Sequence, residues 1–348
     1  MKNRLIHHIG KSVLCLTAGL AMAACSDWTE IQGINIKQQD PATTNPELQA
    51  TYLQNLRNYK QGDHKVVYAW FDNSEKTPFS RGQHLTAVPD SIDVISLMYP
   101  DNLADFELQE MQSIRTDKGT KVVYTVSYET IRSSYDNMVK EETAKNEAYV
   151  APDFLPILKE ATKKALTLSD TYNYDGIIVG YKGMSILHMT EAEKALYTSY
   201  QQAFLGEITT WQGTHKDKMI VFEGNPQNLL NKELLKSCKH IVLNTADITS
   251  ASMLSVQARL AADVNVPAEK FVAVARTTSL DSTDKKTGFY DGTLVAITEA
   301  AYWVTTPESG FTKAGLGIYN VQNGYYNPNN VYQFVKQAIN IMNPAPKN

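Results

Sequence analysis

The chain is poor in cysteine, with only three in 348 residues. Cys15 and Cys25 fall in the first 25 residues, so Cys238 stands alone in the folded part and an intrachain disulfide is excluded there. There is no basic run or basic face, and the formal net charge is -4, which argues against nucleic acid as a partner. The apolar run over residues 13–22 is too short to span a membrane. The seven histidines (His7, His8, His64, His84, His188, His215, His240) show no metal-ligand spacing. A G-x-S-x-G nucleophile elbow, a phosphate loop and a dinucleotide fingerprint are all missing. Gly180-Tyr181-Lys182-Gly183 lacks the further glycines and the helix start a phosphate site needs. No metal and no cofactor are expected.

What is present begins with a secretion signal. Lys2, Arg4 and Lys11 precede the apolar run, and Ala23-Ala24-Cys25 ends it, so residues 1–24 read as a signal peptide. The ending is similar to a bacterial lipobox, which implies lipidation of Cys25; a plain cleavage near Ala24 is the alternative. Ser26-Asp27 resembles the acidic tag of Bacteroidetes-type surface lipoproteins. The expected location is thus the cell-surface side of the outer membrane, with membrane contact through the lipid only. Residues 25–46 are polar, with Gln38-Gln39, Pro41 and Pro46, and read as a flexible stalk ahead of a single domain over 47–348.

Within that domain, 43% hydrophobic and 20% charged residues is ordinary globular composition. An amphipathic helix over 47–59 is expected to close one end. Buried-strand patterns follow at 65–71, 93–99, 121–128, 175–181, 218–223, 240–244, 271–275 and 315–319, and eight is the number of strands in a barrel. Helical patterns lie between them at 102–115, 153–168, 190–211, 226–236, 250–263, 292–302 and 330–342. Gly119 is a stop signal, and Thr190-Glu191-Ala192-Glu193 reads as a capping box. Strict alternation gives an α/β fold, a single-domain (β/α)8 TIM barrel, with a doubly wound open sheet as the competitor.

The stretch Asp175-Gly176-Ile177-Ile178-Val179-Gly180-Tyr181-Lys182 carries the functional signal. It resembles the fourth barrel strand of glycoside hydrolase family 18, the chitinases and endo-β-N-acetylglucosaminidases, whose signature is D-G-x-D-x-D-x-E. The resemblance favours the barrel. Asp175 and Gly176 match, while Ile178, Gly180 and Lys182 stand where the second Asp, third Asp and Glu belong. Residues two apart on a strand share a face, so the signature stacks three carboxyls on the inner face. In the family the Glu protonates the glycosidic oxygen and the preceding Asp orients the substrate's acetamido group, an exception to the two-carboxylate scheme. An ammonium cannot replace that acid at neutral pH. Losing one such group costs roughly 100- to 10,000-fold in rate, so binding without turnover is expected and no catalytic residue is assigned.

Barrel chemistry sits on the loops after the strands. The candidate ligand-binding residues are therefore Trp70, Asp72, Tyr99, Tyr128, Tyr181, Lys182, Glu223, Asn244, Asp247, Arg276 and Tyr319, a set rich in sugar-compatible aromatic and polar groups. Other landmarks of the family are altered as well. Thr125-Val126-Ser127-Tyr128 replaces the third-strand S-x-G-G, Leu243-Asn244-Thr245-Ala246-Asp247 keeps only the Asp of the sixth-strand M-x-Y-D, and Tyr319 takes the place of the floor Trp, where it could still stack on a sugar. The resemblance implies an N-acetylglucosamine-containing ligand, an N-glycan or its mannose-rich arms, captured for outer-membrane uptake and glycosidase partners. Two other readings stay open: an active endoglycosidase using relocated acids among Asp72, Glu129, Glu223 and Asp247, and a protein-interaction scaffold.

Overall fold

The computed structural model describes residues 45–345. The expected signal peptide, Cys25 and all but the end of the expected stalk lie outside the described residues. The elements in chain order are α1 (Pro46–Gln61), β1 (Val66–Phe71), β2 (Val94–Leu97), α2 (Asp105–Lys118), β3 (Lys121–Ser127), α3 (Tyr128–Lys145), α4 (Phe154–Thr171) and β4 (Gly176–Tyr181). There follow α5 (Glu191–Thr214), β5 (Met219–Gly224), α6 (Glu233–Ser237), β6 (Ile241–Leu243), α7 (Ala251–Ala261) and β7 (Phe271–Arg276). After β7 the antiparallel pair β8 (Phe289–Tyr290) and β9 (Leu294–Val295) precedes α8 (Ala296–Thr305), β10 (Lys313–Tyr319) and α9 (Gln333–Met342).

β1 to β7 pair in sequence order, all parallel, and β10 pairs with both β7 and β1, so the sheet is a closed eight-stranded barrel. Closure rules out the open doubly wound sheet. The strands read as continuous apolar runs because both of their faces are buried. One face packs against the helices. The other fills the lumen with Tyr68, Trp70, Val94, Val123, Ile178, Val221, Val242, Val272 and Val274, which form a cluster of their own. The lumen is therefore a packed core, and room for a ligand exists only at its ends.

The barrel unit begins at Thr51, within α1. The last turns of α1 lie at the N-terminal ends of the strands, where Arg57 Nη1 donates to Asp117 O (2.7 Å) and Lys60 Nζ donates to Ile92 O (2.6 Å) and Thr120 Oγ1 (2.7 Å). Burial pushes the Lys60 ammonium down to about 8. This is the closing helix expected from the sequence. Above it, Tyr68 OH and His240 Nδ1 are 2.8 Å apart, and burial drives the imidazole down to about 4.

Two helix boundaries follow the expected chemistry. Gly119 takes a left-handed φ of 67° to end α2, and Thr190 and Glu193 cap α5 reciprocally. Two departures matter for the site. α3, absent from the sequence reading, begins directly at the end of β3 and buries none of its residues fully. The pattern over 226–236 resolves into a single turn, Pro226–Asn228, and the five-residue α6.

Candidate functional site

The two residues that match the hydrolase signature sit at the N-terminal end of β4, at the opposite end of the strand from Lys182. Asp175 Oδ2 accepts from Arg115 Nε (2.6 Å) and from the Val122 backbone N–H (2.8 Å), while Lys121 Nζ approaches Oδ1 at 3.4 Å. Its carboxylate thus ties β4 to β3 and to α2. Gly176 follows because there is no space for a side chain: a Cβ there would lie 2.0 Å from Met219 O on β5. Both retained residues are architectural.

The even-numbered residues of β4 face the lumen. Ile178 belongs to the luminal core, and Gly180 and Lys182 reach the open end. There a cavity of about 340 Å³ opens at the C-terminal ends of β1 to β7 and β10. Its wall includes Trp70, Thr125, Ser127, Glu129, Lys182, Glu223, Asn244, Asp247, Arg276 and Tyr319.

Glu223, on the inner face of β5, is its chemical centre. Tyr319 OH donates to Glu223 Oε1, and Thr125 Oγ1 donates to Oε2 at 3.4 Å. Burial pushes the Glu223 carboxyl up, against the pull of Tyr319, the Lys182 charge and Thr125, and with a further push from Glu129. The Tyr319 phenol is also raised, first by burial and then by the adjacent Glu223. Trp70 lies flat against Tyr319, with centroids 4.5 Å apart and planes at 8°, and the Arg276 guanidinium stands over the Tyr319 ring at 5.4 Å. Arg276 Nε and Nη2 donate to Asp247 Oδ1 at 3.0 and 2.8 Å.

The cavity brings together Trp70, Tyr181, Lys182, Glu223, Asn244, Asp247, Arg276 and Tyr319 from the sequence-derived set, and leaves out Asp72, Tyr99 and Tyr128. Asp72 closes a local turn by accepting from Ser74 N at 2.9 Å. Tyr99 is exposed beyond β2, its backbone N–H held by Asn73 Oδ1. Tyr128 is off the inward parity of Thr125 and Ser127; its ring packs outside the barrel against Tyr181, Phe204 and Phe154. Tyr181 borders the cavity, but its buried ring faces α5, where its hydroxyl accepts from Gln201 Nε2 (3.0 Å). Tyr319 is engaged by Trp70 on one face of its ring.

The acids considered for relocated chemistry are also tied down. Glu129, in the first turn of α3, accepts from the backbone N–H groups of Lys182 (2.6 Å) and Gly183 (3.1 Å), fixing the loop after β4. Asp247 is paired with Arg276. Glu223 is the buried acid that remains. Thr125 was not singled out as a contact residue; inward parity, two before Ser127, is the signal that identifies it.

A buried, raised carboxyl has a consequence for stability. Its folded-state value lies above the unfolded one, so its contribution is fully present at low pH and is lost as pH rises through the folded value. Glu223→Gln keeps an acceptor for Tyr319 and removes the ionisation. The variant is expected to gain on the order of 1 kcal/mol over wild type near neutral pH and nothing below the ordinary Glu value of about 4. Denaturant midpoints across pH check this; a variant less stable at neutral pH contradicts it.

Comparison with known proteins agrees with this architecture. A family profile described as Glycoside hydrolase family 18, BT1044-like, matches residues 29–341. No curated protein matches the chain significantly by sequence. Among solved structures, a selenomethionine Glu-to-Gln variant of BT1044 aligns with TM-score 0.59 at 17% identity, over 88% of this chain and 96% of that one. The apo endo-β-N-acetylglucosaminidase from Cordyceps militaris gives 0.58 at 16%, over 84% and 96%. Its doubly substituted form in complex with fucosyl-N-acetylglucosamine-Asn gives 0.56 at 16%, over 84% and 95%. These likenesses are of fold.

Proposed function

Because the chain belongs to glycoside hydrolase family 18, in its BT1044-like group, we propose that it is a glycan-binding protein whose barrel mouth holds an oligosaccharide without cleaving it. The observation that carries this reading is the inner face of β4. Ile178, Gly180 and Lys182 stand there where the family signature has Asp, Asp and Glu. A cavity with aromatic, amide and charged walls can hold a sugar, but one without the positioned proton donor and acetamido-orienting acid lacks the means to cut it.

The ligand class is an N-acetylglucosamine-containing oligosaccharide, such as an N-glycan or its mannose-rich arms. The fucosyl-N-acetylglucosamine-Asn complex of the Cordyceps militaris enzyme supports that class. Lipidation at Cys25 would hold the domain at the outer-membrane surface beside uptake and glycosidase partners. Tethering raises the effective concentration near them, so modest affinity suffices.

A second reading has one observation in its favour. Glu223 is buried, raised and held by Tyr319 at the cavity, as a relocated proton donor would be. Affinity electrophoresis against a glycan panel, run with a sugar-release assay, separates the two. Capture predicts retarded migration and no released sugar. Release by the wild-type protein that vanishes in Glu223→Gln would replace capture with hydrolysis.

A further inference from the structure

We propose that the cavity is selective for an acidic glycan, one whose carboxylate or sulfate is received by Lys182. This rests on the glycan-capture reading and names the substrate class for the same site.

The argument comes from the charges in the cavity and their partners. Glu129 is committed to the backbone N–H groups of Lys182 and Gly183. Asp247 is committed to Arg276, which meets it through Nε and Nη2. Glu223 has Tyr319 on one oxygen and Thr125 on the other. That leaves Lys182. Its residue is exposed at the cavity wall, and its ammonium makes no hydrogen bond or ion pair among the described residues.

Lys182 and Glu223 do feel each other across the cavity, but they form no ion pair and Glu223 is satisfied without it. Burial pushes Glu223 toward its neutral form, which weakens its hold on the lysine further. Lys182 is thus the charged side chain of the cavity wall that lacks a partner among the described residues, with three donors and no acceptor of its own. A neutral sugar would meet that ammonium with hydroxyls alone. An acidic sugar would meet it with a full negative charge and form a charge-assisted hydrogen bond, the stronger kind.

The test pairs ligands that share N-acetylglucosamine and differ in charge. Hyaluronan tetrasaccharide, which alternates glucuronate with N-acetylglucosamine, is compared with chitotetraose; a sialylated N-glycan is compared with its desialylated form. Binding to the full-length protein is measured by calorimetry at low and moderate salt. The acidic member of at least one pair is expected to bind about 10- to 100-fold more tightly, and its advantage is expected to shrink as salt rises. In Lys182→Met the acidic-to-neutral affinity ratio falls about tenfold or more, whereas Lys182→Arg retains most of it. Equal or better binding of the neutral member in both pairs overturns acidic selectivity and leaves glycan capture standing. A ratio unchanged by Lys182→Met overturns the role of that residue. Failure of all four ligands to bind removes the capture reading and this inference with it.

Discussion

Alanine at position 176 is expected to cost at least about 3 kcal/mol and to abolish soluble folding in a marginal background. The added Cβ would lie 2.0, 2.7 and 2.8 Å from the O, C and N atoms of Met219, all of them backbone. Neither strand can step aside. β4 is paired to β3 and β5 along its length, and Met219 N donates to Asp175 O at 2.9 Å beside the contact. Gly206→Ala is the control: on α5, with nothing within 4 Å of a new Cβ, it should be neutral or stabilise by up to about 1 kcal/mol. Denaturant midpoints decide the matter. If Gly176→Ala unfolds at the wild-type midpoint, the Asp175-Gly176 pair is not retained for its architecture.

The second large effect is expected from putting back one acid of the signature. Gly180 is in register with Ser127 on one side and Glu223 on the other. A Cβ at 180 would lie 3.1 Å from both Ser127 Cβ and Thr125 Cγ2, tighter than an ordinary contact. An Asp there would also place a second carboxylate next to Glu223, and like charges on neighbouring strand positions are destabilising. Gly180→Asp is therefore expected to lose about 2–4 kcal/mol near neutral pH, with part of the loss recovered in acid as a carboxyl takes up a proton.

Ser127→Gly in the same chain should relieve the part of the steric conflict that comes from the Ser127 Cβ, leaving the Thr125 contact. It removes the cap in which Ser127 Oγ accepts from Thr130 N (3.2 Å), and Gly in place of a Ser cap costs only a few tenths of a kcal/mol. Glu223→Gln should relieve the electrostatic part. A Gly180→Asp protein as stable as wild type at neutral pH would show that neither conflict exists.

These contacts also explain how much of the molecule the sequence made legible. The strands could be read because both faces are buried, leaving apolar runs at each of the eight positions, and Gly119 and Thr190 marked helix ends by local chemistry. α3 was hard to read because its apolar stripe is short and only half-buried: Tyr128, Ile131 and Tyr135 pack against the core, and no residue of the helix is fully buried. The site was half legible. Position after a strand put Lys182, Glu223 and Arg276 at the barrel mouth, where the cavity lies, but it ignored which way a side chain points. Tyr128 and Tyr181, one residue off the inward parity, went with the outer layer. The commitments of the acids were out of reach, since Glu129 meets the Lys182 backbone and Tyr319 meets Glu223 across 53 and 96 residues of chain.

The exchange between Ser127 and Gly180 bears on history as well as stability. Beside the family pattern, the Cβ has moved from one strand to its neighbour, so the lumen stays filled while the acid is gone. A lineage in this condition would not regain Asp at 180 in one step, because Asp there is penalised until 127 and 223 have also changed. The barrel mouth would then be held to its present pair of residues by the depth of the valley on either side.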